Sequence, residues 1–406
     1  MQSLTLLHTS DWHLGHRLYN NERLDEQQLA LDWLLETMTT EAVDVLIVAG
    51  DVFDLGNPPN YARRMYYDFL ERVGQTSCRH VVITGGNHDS PSMLDAPGGL
   101  LRRLGIHIIG AATDDPADEI IELRNQAGEP EAVVGAVPFL RERDLQYSRG
   151  GETAGERDKR LRENIKAHYL DVAERMAGYT DVPLLATGHL YAYGTKGAEH
   201  QDNIYIGNRE NIAAEDFPER FAYVALGHIH RPQAVDGLAR VRYSGSLIPL
   251  DFSETADNKS VVLTKWEGAK LTETRLLELP VFRRLKSIRG SYEKVTAALQ
   301  RFAAKGDREL TPWVDVVVET DHPLPGLHHD LQELVENHDL QLLGVRYDHH
   351  FFRENDLAHT EVDLAALDEG EIFSRRVGGE EVAGYADLRD TYRGLREWMR
   401  EERDPQ

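Results

Sequence analysis

Five short apolar runs, at residues 4–9, 43–49, 80–84, 184–187 and 222–226, are rich in Val, Ile, Leu and Thr, and each meets Gly or Asp within two residues of its end. Runs of this length that are apolar throughout, not alternating, predict strands buried on both faces. Between the first two, residues 26–38 place Leu29, Trp33 and either Ala30 or Leu34 on one helical face. Residues 61–73, with Met65, Phe69 and Val73 spaced four apart, predict a second helix. The β-α-β-α-β order predicts a layered α/β domain with ligands at the carboxyl ends of its strands. Residues 145–180 read as a long polar helix, and the later runs at 240–244 and 260–266 predict a second sheet, hence a sandwich.

The pattern restarts after Pro280 as a strand over 281–289, a helix over 291–305, a strand over 313–320, a helix over 326–338 and a strand over 340–347. That is a small βαβαβ module. Val295, Leu299 and Phe302 stripe its first helix, with Ser291 placed to cap it; Leu327, Leu331, Leu334 and Val335 stripe the second. Beyond about residue 350 the chain turns strongly polar. It still carries an amphipathic stretch at 385–399, with Leu388, Tyr392, Leu395 and Trp398 or Met399 on one side. This stretch either packs on its own domain or docks on a partner. The expected organisation is a large domain at 1–279, a module at 280–350 and a helical tail at 351–406.

With 406 residues the chain exceeds what one compact core usually holds. Its 45 Lys and Arg against 69 Asp and Glu give a net charge of −24, which argues against non-specific wrapping of nucleic acid. Contact with DNA must therefore be local, or shared with bound cations or a more basic partner. Cys78 is the sole cysteine, so no intrachain disulfide can form and a reducing compartment is expected. The first residues lack the basic flank and long apolar stretch of a signal peptide, and no run approaches the roughly 18 apolar residues of a membrane span. A soluble, cytoplasmic protein is the expectation.

Each of the five apolar runs opens into residues that bind metals: Asp11 and His13; Asp51 and Asp54; Asn87, His88 and Asp89; His189; and His228 and His230. Hydrolysing a phosphodiester at neutral pH requires a strong nucleophile and a site that tolerates charge building on the phosphate oxygens. Two divalent cations about 3.5–4 Å apart meet both needs. Such a pair needs a shared anionic ligand, and Asp51, flanked by Gly50, is the natural bridge. Asn87 offers a neutral amide oxygen that adds no negative charge where a phosphate approaches. On an extended strand end residues i and i+2 point the same way, so Asp11 and His13 can grip one ion. The same spacing holds for His228 and His230, although a turn after Gly227 could send the two rings to different metals. A lone His at a strand end is commonly an ordinary polar residue; five such segments in series are not so explained. His8, His16, His107, His200 and the histidines near 328, 349 and 359 fall outside the pattern, as do Asp44, Asp95, Asp114 and Asp115.

The motif series resembles the calcineurin-like metallophosphoesterase superfamily. Within it, residues 9–15 (TSDWHLG), 49–54 (AGDVFD), 86–89 (GNHD) and 225–231 (ALGHIHR) resemble the bacterial recombination nucleases that pair with an SMC-like ABC ATPase; residues 205–207 and 241–246 support the match. The likeness is dense over 1–265 and weaker beyond. It implies a four-layer α-β-β-α sandwich with a small α+β capping domain that shapes DNA access and a helical tail that docks on the ATPase. It implies that Asp11, His13, Asp51 and His230 hold one metal and that Asp51, Asn87, His189 and His228 hold the other, with Mn²⁺ favoured. His88 would stabilise the reacting phosphorus or protonate the leaving oxygen, and Asp89 would orient its ring by a hydrogen bond. Some relatives carry His at the position of Asp54, which is left out of the catalytic set. The implied activities are an ATP-dependent double-strand 3′→5′ exonuclease and a single-strand or hairpin endonuclease in DNA repair, recombination and replication. The implied assembly is a homodimer within a heterotetramer with the ATPase, and the ATP dependence falls to that partner because no Gly-x-x-x-x-Gly-Lys-Ser/Thr motif occurs in this chain. The same metal site also suits a small-substrate phosphodiesterase or a phosphoprotein phosphatase. A catalytically silent scaffold is disfavoured by the complete ligand set.

Overall fold

Strand β1 (Ser3–Thr9) runs through a minimal hairpin, β2 (Arg17–Leu18) and β3 (Asn21–Glu22), into helix α1 (Leu24–Thr40), followed by β4 (Val45–Ala49), α2 (Asn60–Val73), β5 (His80–Thr84) and β6 (Ile106–Ile109). A second series follows: β7 (Ile120–Arg124), β8 (Pro130–Gly135), α3 (Ala154–Arg175), β9 (Leu184–His189), β10 (Tyr223–Gly227), β11 (Gln233–Val235) and β12 (Leu238–Tyr243). Strands β13 (Ser260–Glu267) and β14 (Lys270–Glu278) then return to the first sheet. This computed structural model describes residues 3–145, 153–192, 212–304, 310–320, 326–348, 385–386 and 388–393. The matching residues 205–207, most of the stretch at 385–399, and His200, His349 and His359 lie outside the described residues.

The strands form two six-stranded sheets, ordered β14-β13-β1-β4-β5-β6 and β11-β12-β10-β9-β8-β7. Side-chain alternation explains why both had to be covered twice. Leu4 and Leu6 of β1, Val45 and Ile47 of β4, Leu185 of β9, and Tyr223 and Ala225 of β10 meet in one cluster between the sheets. The intervening residues point outward: Leu7, Leu46 and Val48 pack under α1 and α2, while Leu184, Ala186, Val224 and Leu226 pack under α3. Uniformly apolar strands therefore make a four-layer α-β-β-α sandwich. His8 fastens the two sheets, its ring lying 2.9 Å from the Tyr223 hydroxyl and 3.2 Å from the Leu226 carbonyl; burial holds it neutral, its pKa lowered to about 3. Strands β6, β7, β8, β11 and β14 were not predicted; in β14, for example, mostly exposed residues are interleaved with part-buried ones.

The long polar helix is real, and begins at a capping box in which Thr153 and Glu156 bond each other's backbone amides. The third sheet is wholly parallel, β15 (Leu285–Gly290), β16 (Trp313–Glu319) and β17 (Gln341–Asp348), with crossover helices α4 (Tyr292–Ala303) and α5 (Leu327–Glu336). Ser291 caps α4 by accepting from the Lys294 amide. The strand expected from 281 begins at Leu285, because Phe282 packs into the first core and Arg283 and Arg284 lay their guanidinium groups over Trp313 and Phe302. Leu18, Phe252, Leu285 and Trp313 join the module to the sandwich. The chain divides into two units, residues 1–319 with 324–348, and residues 320–323 with 349–406; in the second, Tyr385, Ala386 and residues 388–393 are helical.

Trp12 sits between fold and site. Its ring packs edge-on against Phe69 at 5.0 Å, its Nε1 donates to Thr9 Oγ1 at 2.9 Å, and it is 1% exposed. Trp12→Ala should destabilise the protein by about 3–5 kcal/mol, read as a lowered urea midpoint with an unchanged slope.

Candidate metal centre

The strand-end loops after β1 and β4 continue to pair after their ladders stop: the amides of Asp11, His13 and Leu14 donate to the carbonyls of Gly50, Asp51 and Val52 at 3.0, 3.0 and 2.9 Å. The chain is not extended here. Asp11, His13, Asp51 and His228 have φ of 52, 45, 49 and 97°, in the left-handed region that non-glycine residues rarely occupy. The i, i+2 reasoning for Asp11 and His13 is thereby corrected: left-handed turns, not a pleated strand, bring their side chains together. For His228 and His230 the turn decides the open question. Asp11, His13 and His230 form one group whose candidate ligand atoms lie within 4.8 Å of one another; Asp51, His189 and His228 form a second. His13, Asp51 and His88 make a third overlapping group on the same criterion. Asn87 joins the second, its Oδ1 lying 3.0 Å from His189 Nε2 and 2.9 Å from His228 Nδ1.

Two glycines have a steric reason. At Gly50, whose φ is +84°, a Cβ would stand 2.2 Å from the His189 ring; at Gly86 it would stand 2.1 Å from Asp51 Oδ1.

Hydrogen bonds set which ring nitrogen is free. His189 Nδ1 donates to the Ala49 carbonyl at 3.0 Å, His230 Nδ1 faces Glu254 Oε1 at 2.9 Å, and His13 Nδ1 faces Asp54 Oδ1 at 3.2 Å. In each neutral ring the Nε2 lone pair is then left for a ligand. His13 Nε2 is buried, makes no hydrogen bond among the described residues and lies 3.6 Å from Asp51 Oδ2, while His189 Nε2 lies 3.1 Å from the same oxygen. Ring nitrogens aimed at carboxylate and amide oxygens, one of them without a hydrogen bond among the described residues, form a donor set that fits divalent cations.

The charges respond accordingly. Burial would raise the Asp51 carboxyl, but His189, His13 and His88 outweigh it and hold the group below the ordinary range. Burial would lower His189, yet Asp51 pushes it up to about 9. Burial, with the His189 ring beside it, drives His228 well below its usual value.

Asp89 does not orient His88, contrary to expectation. Its carboxylate accepts the amides of Val52, Phe53 and Gly86 at 3.1, 3.0 and 2.9 Å, pinning the Asp51 loop to the Asn87 loop. Burial and the neighbouring Asp51 raise its pKa to about 6. The His88 ring is instead held by the Asp54 carbonyl, 2.8 Å from Nδ1, and its amide donates to Asp51 Oδ1 at 2.9 Å. The sequence reading also missed Ser10, which bonds Asp11 Oδ2 at 2.5 Å and Ser244 at 2.8 Å, and the buried Glu254–Lys259 pair. Glu254 Oε2 accepts from Lys259 at 2.7 Å and from the Leu250 amide at 3.0 Å; Lys259 also reaches the His230 carbonyl at 2.8 Å. Burial would raise Glu254, but Lys259 and His230 hold it well below its usual value, so it is ionised.

A calcineurin-like phosphoesterase model matches residues 4–232, and a model described as the type 5 capsule protein repressor C-terminal domain matches residues 281–380. The chain is 38% identical over 384 residues to the SbcD subunit of the nuclease SbcCD from Escherichia coli (strain K12), covering 93% of this chain and 94% of that one. The chain belongs to the SbcD family of calcineurin-like phosphoesterases. The SbcD subunits of two further bacteria also match: that of Rhodobacter capsulatus is 35% identical, with 84% of this chain and 87% of the relative covered, and that of Bacillus subtilis (strain 168) is 37% identical, with 64% and 66% covered. Membership makes the chain a metal-dependent hydrolase. Among the described residues no helix is long and apolar enough to cross a membrane.

Glu254→Gln should weaken divalent-cation binding at the His230 side about 10–100-fold by releasing the ring, measured by calorimetry with Mn²⁺, while Arg72→Gln, which removes an exposed ion pair with Asp32, should leave it unchanged.

Proposed function

We propose that this chain is the nuclease subunit of a complex with an SbcC-like SMC/ABC ATPase and cleaves DNA phosphodiesters at the centre described above. The observation that carries the reading is the convergence of five strand-end loops from both sheets on two ligand groups joined where His13 of the first faces Asp51 of the second. Asp11, His13, Asp51 and His230 hold one cation; Asp51, Asn87, His189 and His228 hold the other. Both are Mn²⁺ in this reading, and when bound they lower the pKa of water and offset charge on the phosphate.

The residues of the chain do the rest. Asp51 turns Oδ2 toward the His13 and His189 rings while Oδ1 takes the His88 amide, and Asn87 adds an oxygen without adding charge. His88 is exposed, its Nδ1 is fixed on the Asp54 carbonyl, and its ring stabilises the reacting phosphorus or donates a proton to the leaving 3′-oxygen. Asp89 acts through the loops it clamps. The module at 280–350 caps the site and shapes access for double-stranded and hairpin DNA, and the tail at 351–406 docks on the ATPase. Two such chains pair within a cytoplasmic heterotetramer. The names of the relatives support the partner, and the acidic balance of the chain suits a division of labour in which cations and partner neutralise most phosphate charge. Cleavage is ATP-dependent and 3′→5′ on duplex ends, and endonucleolytic on single strands and hairpins.

The test is a nuclease assay on end-labelled duplex and hairpin DNA with Mn²⁺, with and without the ATPase and ATP. Asp51→Asn should lower cleavage by at least about 10³-fold while circular dichroism shows an intact fold. Wild-type activity on duplex ends that never needs the ATPase would overturn the docking part, and an active Asp51→Asn protein would overturn the site.

A further inference from the structure

The centre gathers Asp11, Asp51, Asp54, Asp89 and Glu254, yet its substrate is an anion. The cations nearest His230 are already engaged: Lys259 is held by Glu254 and the His230 carbonyl, and Arg231 pairs with Asp257 at 2.8 Å. The opposite side of the cluster differs. There the segment after β8 runs along the loop that carries Asn87 and His88, the Phe139 amide donating to the Gly85 carbonyl at 2.8 Å. The Phe139 ring stands edge-on to His189, centroids 6.2 Å apart. Arg141 follows, its guanidinium carbon 5.8 Å from the Phe139 ring centre and its Nη2 donating to the Asp89 carbonyl at 3.3 Å.

Among the described residues, that neutral carbonyl is the sole hydrogen-bond partner of the Arg141 side chain, the guanidinium makes no ion pair, and its Nη1 is buried without an acceptor. A guanidinium carries five donors in a planar fork suited to phosphate oxygens, and a buried donor without an acceptor is costly unless a ligand supplies one. Resting on a backbone carbonyl and against an aromatic face, the group is positioned without being neutralised.

We infer that Arg141 is a phosphate-binding residue of this site, donating to a non-bridging oxygen of the phosphodiester from the His189 and Asn87 side. The inference rests on the proposed function for the identity of the anion. It gives the site a fixed cation of its own that does not depend on metal loading.

The experiment uses the full chain loaded with Mn²⁺. Calorimetry measures inorganic phosphate binding, and steady-state assays follow bis(p-nitrophenyl) phosphate. Arg141→Gln should weaken phosphate binding and raise KM about 10- to 100-fold, with Mn²⁺ stoichiometry and its electron paramagnetic resonance spectrum unchanged; Arg141→Lys, which keeps the charge but loses the fork, should recover part of the loss. Phosphate affinity equal to wild type in Arg141→Gln overturns the inference. So does a loss of Mn²⁺ binding that accounts for the whole effect, since Arg141 would then only brace the Asp89 loop. Phosphate binding needs no turnover, so a wild-type protein that binds phosphate but never cleaves DNA faults the proposed function and still decides on Arg141.

Discussion

Carboxylates that repel one another are buried together at the meeting point of two sheets, and most of the local structure exists to make that tolerable. Removing a carboxylate from water costs several kcal/mol unless partners replace the lost hydration. Each acid has its own solution here. Asp11 takes the Ser10 hydroxyl and the His228 amide, Asp89 takes three amides, Glu254 takes Lys259 and an amide, and Asp51 takes the His88 amide with the His189 ring. Among these four, Asp51 is the one that relies chiefly on imidazoles instead of fixed cations or several amides. That is the carboxylate whose compensation a cation can take over, because neutral rings can give their lone pairs to the same ion that neutralises the oxygen.

The backbone bears the cost of gathering these groups. Parallel strands deliver their carboxyl ends to one edge of each sheet, but a pleated chain would spread its side chains to alternate faces. Left-handed residues at Asp11, His13, Asp51 and His228 turn the side chains toward one point, and pairing of the 11–14 loop with the 50–52 loop holds the turns in place. Strained conformations of this kind persist when the surroundings over-determine them. Here the sandwich core, the Asp89 clamp and the packing of Trp12 on Phe69 do so from three sides.

The parts legible in the sequence are those where local pattern and tertiary demand coincide. Strands buried on both faces read as apolar runs, and the residues that close them read as a metal inventory because Asp, His and Asn recur at the same place in each run. The supports were not legible for the same physical reason. Glu254 and Lys259 lie in a polar stretch, Asp251 to Lys259, that looks like any surface turn, and only the fold carries it under His230. The role the resemblance implied for Asp89 does not hold, because its carboxylate is taken up by three backbone amides and the His88 ring is left to the Asp54 carbonyl. The edge strand β14 lacked a signal because most of its residues face solvent.

The first turn of α1 shows how the site and the added module share one support. Glu26 is buried and binds Arg23 at 3.0 and 2.5 Å and Arg283 at 3.4 Å; Arg283 also lays its guanidinium 4.2 Å from the Trp313 ring and donates to the Thr311 carbonyl. The next residue, Gln27, bonds the His13 carbonyl at 2.7 Å and the Gly15 amide at 3.1 Å. One helix end thus anchors the segment entering the module and the loop bearing a metal-ligand histidine. Because neighbouring helix residues are fixed to one rigid rod, a shift of the Arg283 segment that moves Glu26 must also act on Gln27. The buried ion pairs are expensive to break singly, so the junction favours a defined seating of the module over a loose one. The geometry of the ligand loop is therefore set by the module side of the chain as well as by the sheets that carry it.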